Sequence, residues 1–244
     1  MAGIIEMDNV RFSAQSGTIV ENVSIEFQTS KTTALTGPSG CGKSTILKLA
    51  AGLLVPDEGA VSYKGKNIAR MDRLENLEFR REGAFVFQDS ALWANQNLYD
   101  GLELPLRIHY PEMDKKERER RIKAAVAEVG YKKGLQVRPS ALSLGEQKLI
   151  AFARAMLCGP NLLFLDEWTE SMDEANRLRL IELVKIRQCQ GATVIFVNHD
   201  VRIIKDMADY IVLISEGHVS LIASKEQLMQ DTELSNYLKT EIGA

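Results

Sequence analysis

The segment Gly37-Pro38-Ser39-Gly40-Cys41-Gly42-Lys43-Ser44-Thr45 combines the residue types needed to hold a chain of phosphates. Its glycines let the backbone curl so that successive N–H groups converge on phosphate oxygens, and the start of a following helix adds positive potential. The Lys43 ammonium can reach β- and γ-phosphates, and the Ser44 hydroxyl is an oxygen ligand suited to Mg²⁺. The pattern Gly-x4-Gly-Lys-Ser lies after a strand and opens a helix, the context in which it works. Cys41 occupies a variable position inside it and reads as a bystander rather than a nucleophile. A second group, the acidic pair Asp166-Glu167, follows the apolar run Leu162-Leu163-Phe164-Leu165. In open parallel sheets, ligands bind at the carboxyl ends of strands. There Asp166 would hold Mg²⁺ through water and Glu167 would polarise an attacking water.

Elements able to position these groups can be read from periodicity. Strands are expected over 4–12, 19–27 (with alternating Val23, Ile25 and Phe27) and 32–36, then a helix over 43–54 stopped by Pro56 and Gly59. A short strand pair over 59–68 and a strand over 83–87 follow, and the pattern from 89 to 159 is helical. Within it the charged run from Asp114 to Lys123 reads as a solvated helix face. Strands at 161–165, 193–197 and 210–214 then alternate with helices at 174–188 and 201–208. Continuous apolar strands alternating with helices imply a parallel sheet covered on both faces.

Composition narrows the class further. The chain has 244 residues, 45% hydrophobic and 26% charged, with a formal net charge of -3. That suits a soluble globular fold and excludes a global basic field that would recruit nucleic acid. The cysteines Cys41, Cys158 and Cys189 are odd in number and not spaced as metal ligands. The opening residues read as a strand, not a signal peptide, so a cytoplasmic chain with reduced thiols is expected. No apolar run approaches the roughly 18 to 20 residues that span a bilayer.

Further motifs carry a resemblance over essentially the whole chain. Leu142-Ser143-Leu144-Gly145-Glu146-Gln147, followed by Ala151-Phe152-Ala153-Arg154-Ala155, resembles the ATP-binding-cassette (ABC) signature and its helix. Gln88 resembles the family's Q-loop, Ser171-Met172-Asp173 its D-loop and His199 its switch histidine. Phe12 stands about where the family stacks an aromatic on adenine; core filling is the other reading of that residue. Ser143-x-x-Glu146 is in any case a capping box starting an amphipathic helix. The resemblance implies an α/β fold: a P-loop NTPase (RecA-like) parallel-sheet core, an N-terminal antiparallel β subdomain and an inserted helical subdomain. It implies one nucleotide-binding domain over 1–244, with 1–88 and 160–244 forming the β subdomain and core and 89–159 the helical signature subdomain. ATP and Mg²⁺ are the implied cofactors. Lys43, Gln88, Glu167 and His199 become the catalytic set, Ser44, Gln88 and Asp166 the metal set, and Ser143, Leu144, Gly145 and Glu146 contact a partner's ATP.

Two departures stand out. Leu144 replaces the first signature glycine, which requires φ below zero there and a side chain directed away from phosphate. Trp168 stands where the family has proline, and a packing role is expected.

With one P-loop and one signature per chain, the resemblance implies a two-fold dimer of cassettes that closes on ATP and opens after hydrolysis. The resemblance further implies an integral-membrane permease as partner and a peripheral position on the cytoplasmic face. The run Ser90-Ala91-Leu92-Trp93 through Leu98-Tyr99 to Leu104-Pro105-Leu106 is most similar to the Mla/Mce-type lipid transporter ATPases. That implies lipid transport and an Mce-type lipid-binding partner. A soluble assembly ATPase of the Fe–S type, or a cell-division or lipoprotein-export transporter, stays open as an alternative. Residues 91–106 are expected to form a socket for a permease helix, with Trp93 and Tyr99 exposed; filling the helical subdomain's own core is the competing role.

Overall fold

The computed structural model describes residues 3–15 and 17–230. Its elements begin with β1 (Gly3–Ala14), β2 (Gly17–Gln28), β3 (Thr32–Thr36), α1 (Lys43–Ala50), β4 (Glu58–Tyr63), β5 (Lys66–Asn67) and α2 (Arg73–Glu82). Next come β6 (Gly83–Val86), α3 (Leu98–His109), α4 (Lys115–Glu128), α5 (Leu144–Met156), β7 (Leu162–Asp166) and α6 (Glu174–Cys189). The chain continues with β8 (Thr193–Val197), α7 (Val201–Met207), β9 (Tyr210–Ser215), β10 (His218–Ser224) and α8 (Lys225–Gln230). Two compact units result: Met1–Phe79 with Gly191–Ala244, and Arg80–Gln190.

The first unit carries an antiparallel sheet in the order β2-β1-β4-β5. In β2, Val20, Val23, Ile25 and Phe27 are buried while Glu21, Ser24 and Glu26 are exposed, the signature of a half-covered strand. The same unit contains a parallel arrangement in which β3 pairs with both β8 and β9, and β10 returns antiparallel along β9. Every residue of β3 and β8 is buried, β8 through the apolar run 194–197 and β3 through threonines alongside Ala34 and Leu35. Helix α1 turns Ile46, Leu47, Leu49 and Ala50 inward. It stops at Ala50, short of the 43–54 expected from sequence, because Gly52 adopts φ 62°. There Gly52 N donates to Leu49 O and Leu53 N to Lys48 O, each 2.9 Å, the bond pair of a Schellman stop.

In the second unit β6 and β7 are parallel, with Val86 opposite Leu165. Helix α3 buries Leu98, Leu102 and Leu106 at i, i+4 and i+8 spacing. Helix α4 buries Ile122, Ala125 and Val126, and α5 buries Leu149, Ile150, Phe152, Ala153 and Met156. A largely buried ion pair, Arg118 Nε to Glu103 Oε1 at 2.9 Å, ties α3 to α4. The exposed side of α4 is the charged run, where Glu117 accepts from both Arg120 and Arg121. Those guanidiniums hold the Glu117 carboxyl down to about 2.

Among the described residues, α2, β10 and α8 are elements that periodicity did not reveal. Helix α2 buries only Phe79, so no apolar stripe marks it. Its signal is instead Asp72-x-x-Glu75: Asp72 Oδ1 accepts from Leu74 N and Glu75 N, and Glu75 Oε2 accepts from Asp72 N. The β9–β10 hairpin turns on Glu216 and Gly217, with φ 49° and 80°, a pair of left-handed residues matching a two-residue turn.

Candidate nucleotide site

In the first unit, residues 37–42 connect the C-terminal end of β3 to the N-terminus of α1. Gly37 has φ 137°, and a Cβ there would lie 2.0 Å from the Ile214 carbonyl oxygen. Only a residue without a side chain lets the loop pass this strand. Gly42 caps α1 with φ 102° and ψ 4°, and no side chain caps that end, which leaves the helix N-terminus to face whatever the loop encloses. Gly217 N donates to Cys41 O at 3.2 Å, so the β9–β10 turn braces the loop from behind. Cys41 itself is buried, in keeping with a packing role. Lys43 Nζ donates to the carbonyls of Gly37 and Pro38 at 2.8 and 2.7 Å. The ammonium is thereby held across the loop, where phosphate oxygens would compete for it.

Two other expected residues lie in this unit. Since β3 and β8 run parallel, with Leu35 opposite Val197, Asn198 and His199 leave their strand on the same edge as Gly37. His199 is exposed, between buried Asn198 and the α7 cap Asp200. Asn198 Oδ1 accepts from Asp200 N at 2.7 Å, and Asp200 accepts from Arg202 N at 2.9 Å, which fixes the turn carrying the imidazole. Phe12, half-buried, pairs with Val20, and Val20 borders Gly42.

The second unit gathers the acidic groups. Asp166 ends β7 almost fully buried, at 2% exposure. Glu167 follows with φ 43°, an unfavourable left-handed conformation for a side-chain-bearing residue, of the kind found at functional turns. Gln88 lies just beyond β6, which is parallel to β7, so both strands deliver their polar residues at one edge. Gln88 Nε2 donates to Glu167 Oε2 at 2.7 Å and to Glu170 Oε2 at 3.0 Å. Lys148 Nζ donates to the main-chain oxygen of Glu167 at 2.8 Å. Burial pulls the Lys148 pKa below the ordinary lysine value, against the pull of the carboxylates of Glu170, Glu167, Asp166 and Asp89.

Ser143 caps α5 in a complete capping box with Glu146, and Glu146 Oε1 also accepts from Lys133 Nζ at 2.7 Å. Lys133 first, then the Ser143 backbone, hold the Glu146 carboxyl below its usual range. Leu144 is the first residue of the helix, has negative φ, and leaves its side chain 66% exposed. A Cβ on Gly145 would touch Ser171 O at 3.8 Å, so the signature turn and the segment leading to Asp173 are neighbours. Asp173 caps α6 through Asn176 N at 2.9 Å, a bond that lowers its pKa. Trp168 is fully buried.

The expected site residues therefore form two constellations. Phe12, residues 37–45 and His199 assemble in one unit; Gln88, Ser143, Leu144, Gly145, Glu146, Asp166, Glu167 and Asp173 assemble in the other. Lys148 and Arg154 were not anticipated as parts of the site. Arg154 donates to Ala91 O at 2.8 Å and Ser90 O at 3.2 Å. It braces two consecutive residues with φ 64° and 44° just after Gln88. The signal for both was a cation within the otherwise apolar face of an amphipathic helix. Helices α3 and α5 also border an apolar groove that includes Leu92, Trp93, Gly101, Ile150 and Arg154. Trp93 is exposed there, but Tyr99 is half-buried with a buried hydroxyl, which corrects the expectation that both aromatics face solvent.

A glycine-rich strand-to-helix loop carrying Lys43 and Ser44, and an Asp-Glu pair at another parallel strand end, are the parts that a P-loop nucleotide hydrolase uses. Residues 20–170 match the family described as ABC transporter. The ATP-binding protein MlaF of the intermembrane phospholipid transport system of Haemophilus influenzae is 32% identical over 241 residues, covering 98% of this chain and 91% of the relative. The nickel import ATP-binding protein NikE of Shigella flexneri is 33% identical over 210 residues, covering 84% and 78%. A dimeric, post-hydrolysis structure of the cassette MJ0796 bound to ADP and Pi superposes with a TM-score of 0.84 at 26% identity, covering 91% of this chain and 98% of that one. The chain belongs to the ABC transporter family and is an ATP-binding, ATP-hydrolysing cassette. Among the described residues, no helix is long and apolar enough to cross a membrane.

Proposed function

We propose that this cassette powers a phospholipid or lipid transporter of the Mla type, acting as a homodimer on the cytoplasmic face of a membrane. The observation that carries the lipid reading is the near full-length similarity to MlaF. The dimeric MJ0796 cassette supports the paired arrangement. The groove edged by exposed Trp93 supports a permease helix as the element moved, with 89–159 as the subdomain that moves.

In this reading the 37–45 loop binds the ATP phosphates, Lys43 pairs with the β- and γ-phosphates, and Phe12 stacks on adenine. By their chemistry, the Ser44 hydroxyl in the first unit and the Gln88 amide and buried Asp166 carboxylate in the second are hard-oxygen donors of the kind Mg²⁺ takes. Among the described residues no cluster of three or more His, Cys, Asp or Glu side chains forms a metal cage, so phosphate oxygens would complete the shell. Bound Mg²⁺ would neutralise charge on the transferring phosphoryl group. Glu167 accepts a proton from the attacking water and His199 contacts the γ-phosphate. Ser143 and the N–H groups of Leu144 and Gly145 meet the ATP of the second copy, with Asp173 alongside.

The test is to solubilise native membranes, isolate this subunit and identify its companions. A polytopic permease together with an Mce-type lipid-binding protein is expected. A nickel-import permease, or a soluble scaffold, would overturn the lipid reading while leaving the ATPase intact.

A further inference from the structure

Helix α5 carries the signature at its first turn and, one turn further along, a lysine directed into the interior. Lys148 is only 5% exposed, and its neighbours Leu149, Ile150 and Phe152 are buried. A buried ammonium is costly unless it is compensated. Here the direct partner lies in the acidic turn, Nζ being 2.8 Å from the Glu167 main-chain oxygen, and the carboxylates of Glu170, Glu167, Asp166 and Asp89 add their attraction. That oxygen belongs to the residue held at φ 43°, a backbone conformation that persists only if its surroundings enforce it. Gln88 fixes the far end of the same residue by its 2.7 Å bond to Oε2. Glu167 is thus gripped at both ends, the carboxylate from the end of β6 and the main chain from α5.

We propose that Lys148 is a positioning residue for Glu167, a strut that runs from the signature helix to the turn carrying the carboxylate. Because Ser143 caps the same helix, a shift of the α5 N-terminus on meeting a second copy's nucleotide is transmitted along the helix to the Glu167 carbonyl. Lys148 touches neither phosphate nor water in this account; it acts through the angle at which Glu167 presents its carboxylate. The proposal rests on the reading of Glu167 as the group that activates water.

The experiment compares Lys148→Met, Lys148→Arg and Glu167→Gln in the full chain, measuring kcat, KM for ATP, affinity for a fluorescent ATP analogue, and Tm. Methionine keeps the length and apolar stem but removes the donor and the charge. The expected result for Lys148→Met is a fall in kcat of roughly 10- to 100-fold, the scale of a misplaced reacting group. Its KM and analogue affinity stay within about threefold of the parent, and its Tm is unchanged or higher, since a buried charge has been removed. Lys148→Arg is expected to recover most of the lost kcat. A kcat for Lys148→Met within about twofold of the parent overturns the proposal. So does a fall in kcat matched by equal losses of ATP affinity and Tm, which would mean a merely structural role. Near-normal turnover in Glu167→Gln would instead refute the assignment of Glu167, whatever Lys148 does.

Discussion

Two alanine substitutions in the phosphate loop separate steric from dihedral control of nucleotide binding. Gly37 and Gly40 both have positive φ, 137° and 79°, but they face different surroundings. A Cβ at Gly40 meets nothing within 4 Å, whereas one at Gly37 lies 2.0 Å from the Ile214 carbonyl oxygen. Gly40→Ala therefore carries only the left-handed penalty, about 1–2 kcal/mol, or roughly 5- to 30-fold in affinity. Gly37→Ala adds a comparable dihedral cost of about 1–3 kcal/mol. It also adds relief of a main-chain clash, itself about 1–3 kcal/mol as in an overpacked core. The sum, about 2–6 kcal/mol, corresponds to a loss of 30-fold or more. Moving the loop away from Ile214 also strains the Gly217–Cys41 bond that braces it. Titration with a fluorescent ATP analogue at fixed Mg²⁺, alongside thermal unfolding with and without ATP, measures both variants. Affinity for Gly37→Ala within threefold of the parent, or below-parent binding by Gly40→Ala that exceeds the loss at Gly37, would refute the steric argument.

Three other outcomes are expected. Glu167→Gln should retain ATP binding, lose turnover by roughly 10²- to 10⁴-fold, and run as a dimer with ATP and Mg²⁺ on size-exclusion chromatography. Gly145→Asp should cut ATPase activity far more than Leu144→Gly. A Cβ at Gly145 is sterically tolerated, so the defect isolates repulsion between the new carboxylate and a second copy's γ-phosphate, on the order of 1–4 kcal/mol for unit charges in close approach; equal rates for the two variants would contradict the signature's role. Trp93→Glu should release the permease from detergent-solubilised complexes while ATP-analogue affinity stays at the parent value, because Trp93 is exposed beside the apolar groove.

How much was legible from sequence depends on whether a residue's role is set by its neighbours in the chain or by distant ones. The loop at 37–45 could be read because strand, glycines, lysine and helix follow one another directly. Strands β7 and β8 could be read because residues 162–165 and 194–197 are unbroken apolar runs, buried at every residue. The capping box of Ser143 and Glu146 is equally local. Helix α2 escaped because it buries a single side chain and so has no periodicity to detect, although its Asp72–Glu75 cap was in plain view. Tyr99 was misjudged because an amphipathic ring can serve core or surface, and only the packing of α3 decides which.

The residues that brace the candidate site's turns were harder to find than the candidate site residues themselves. Nothing in the order Glu146-Gln147-Lys148-Leu149 says that this ammonium meets the carbonyl of Glu167. Nor does Arg154 announce that it braces Ser90 and Ala91 from more than sixty positions away. Both long-range bonds start on α5 and end on main-chain oxygens of turns whose φ values are positive. Left-handed turns bearing side chains need external support, and a long cation inside an apolar helix face can supply it without leaving its own charge uncompensated. A lysine or arginine at a core-facing helical position, in a chain that also contains left-handed turns bearing side chains, is therefore a reason to look for a main-chain carbonyl as its partner. On that argument, α5 does more than carry the capped turn of Ser143. It also holds the backbone on either side of the Gln88–Glu167 hydrogen bond, and any displacement of α5 bears on both residues at once.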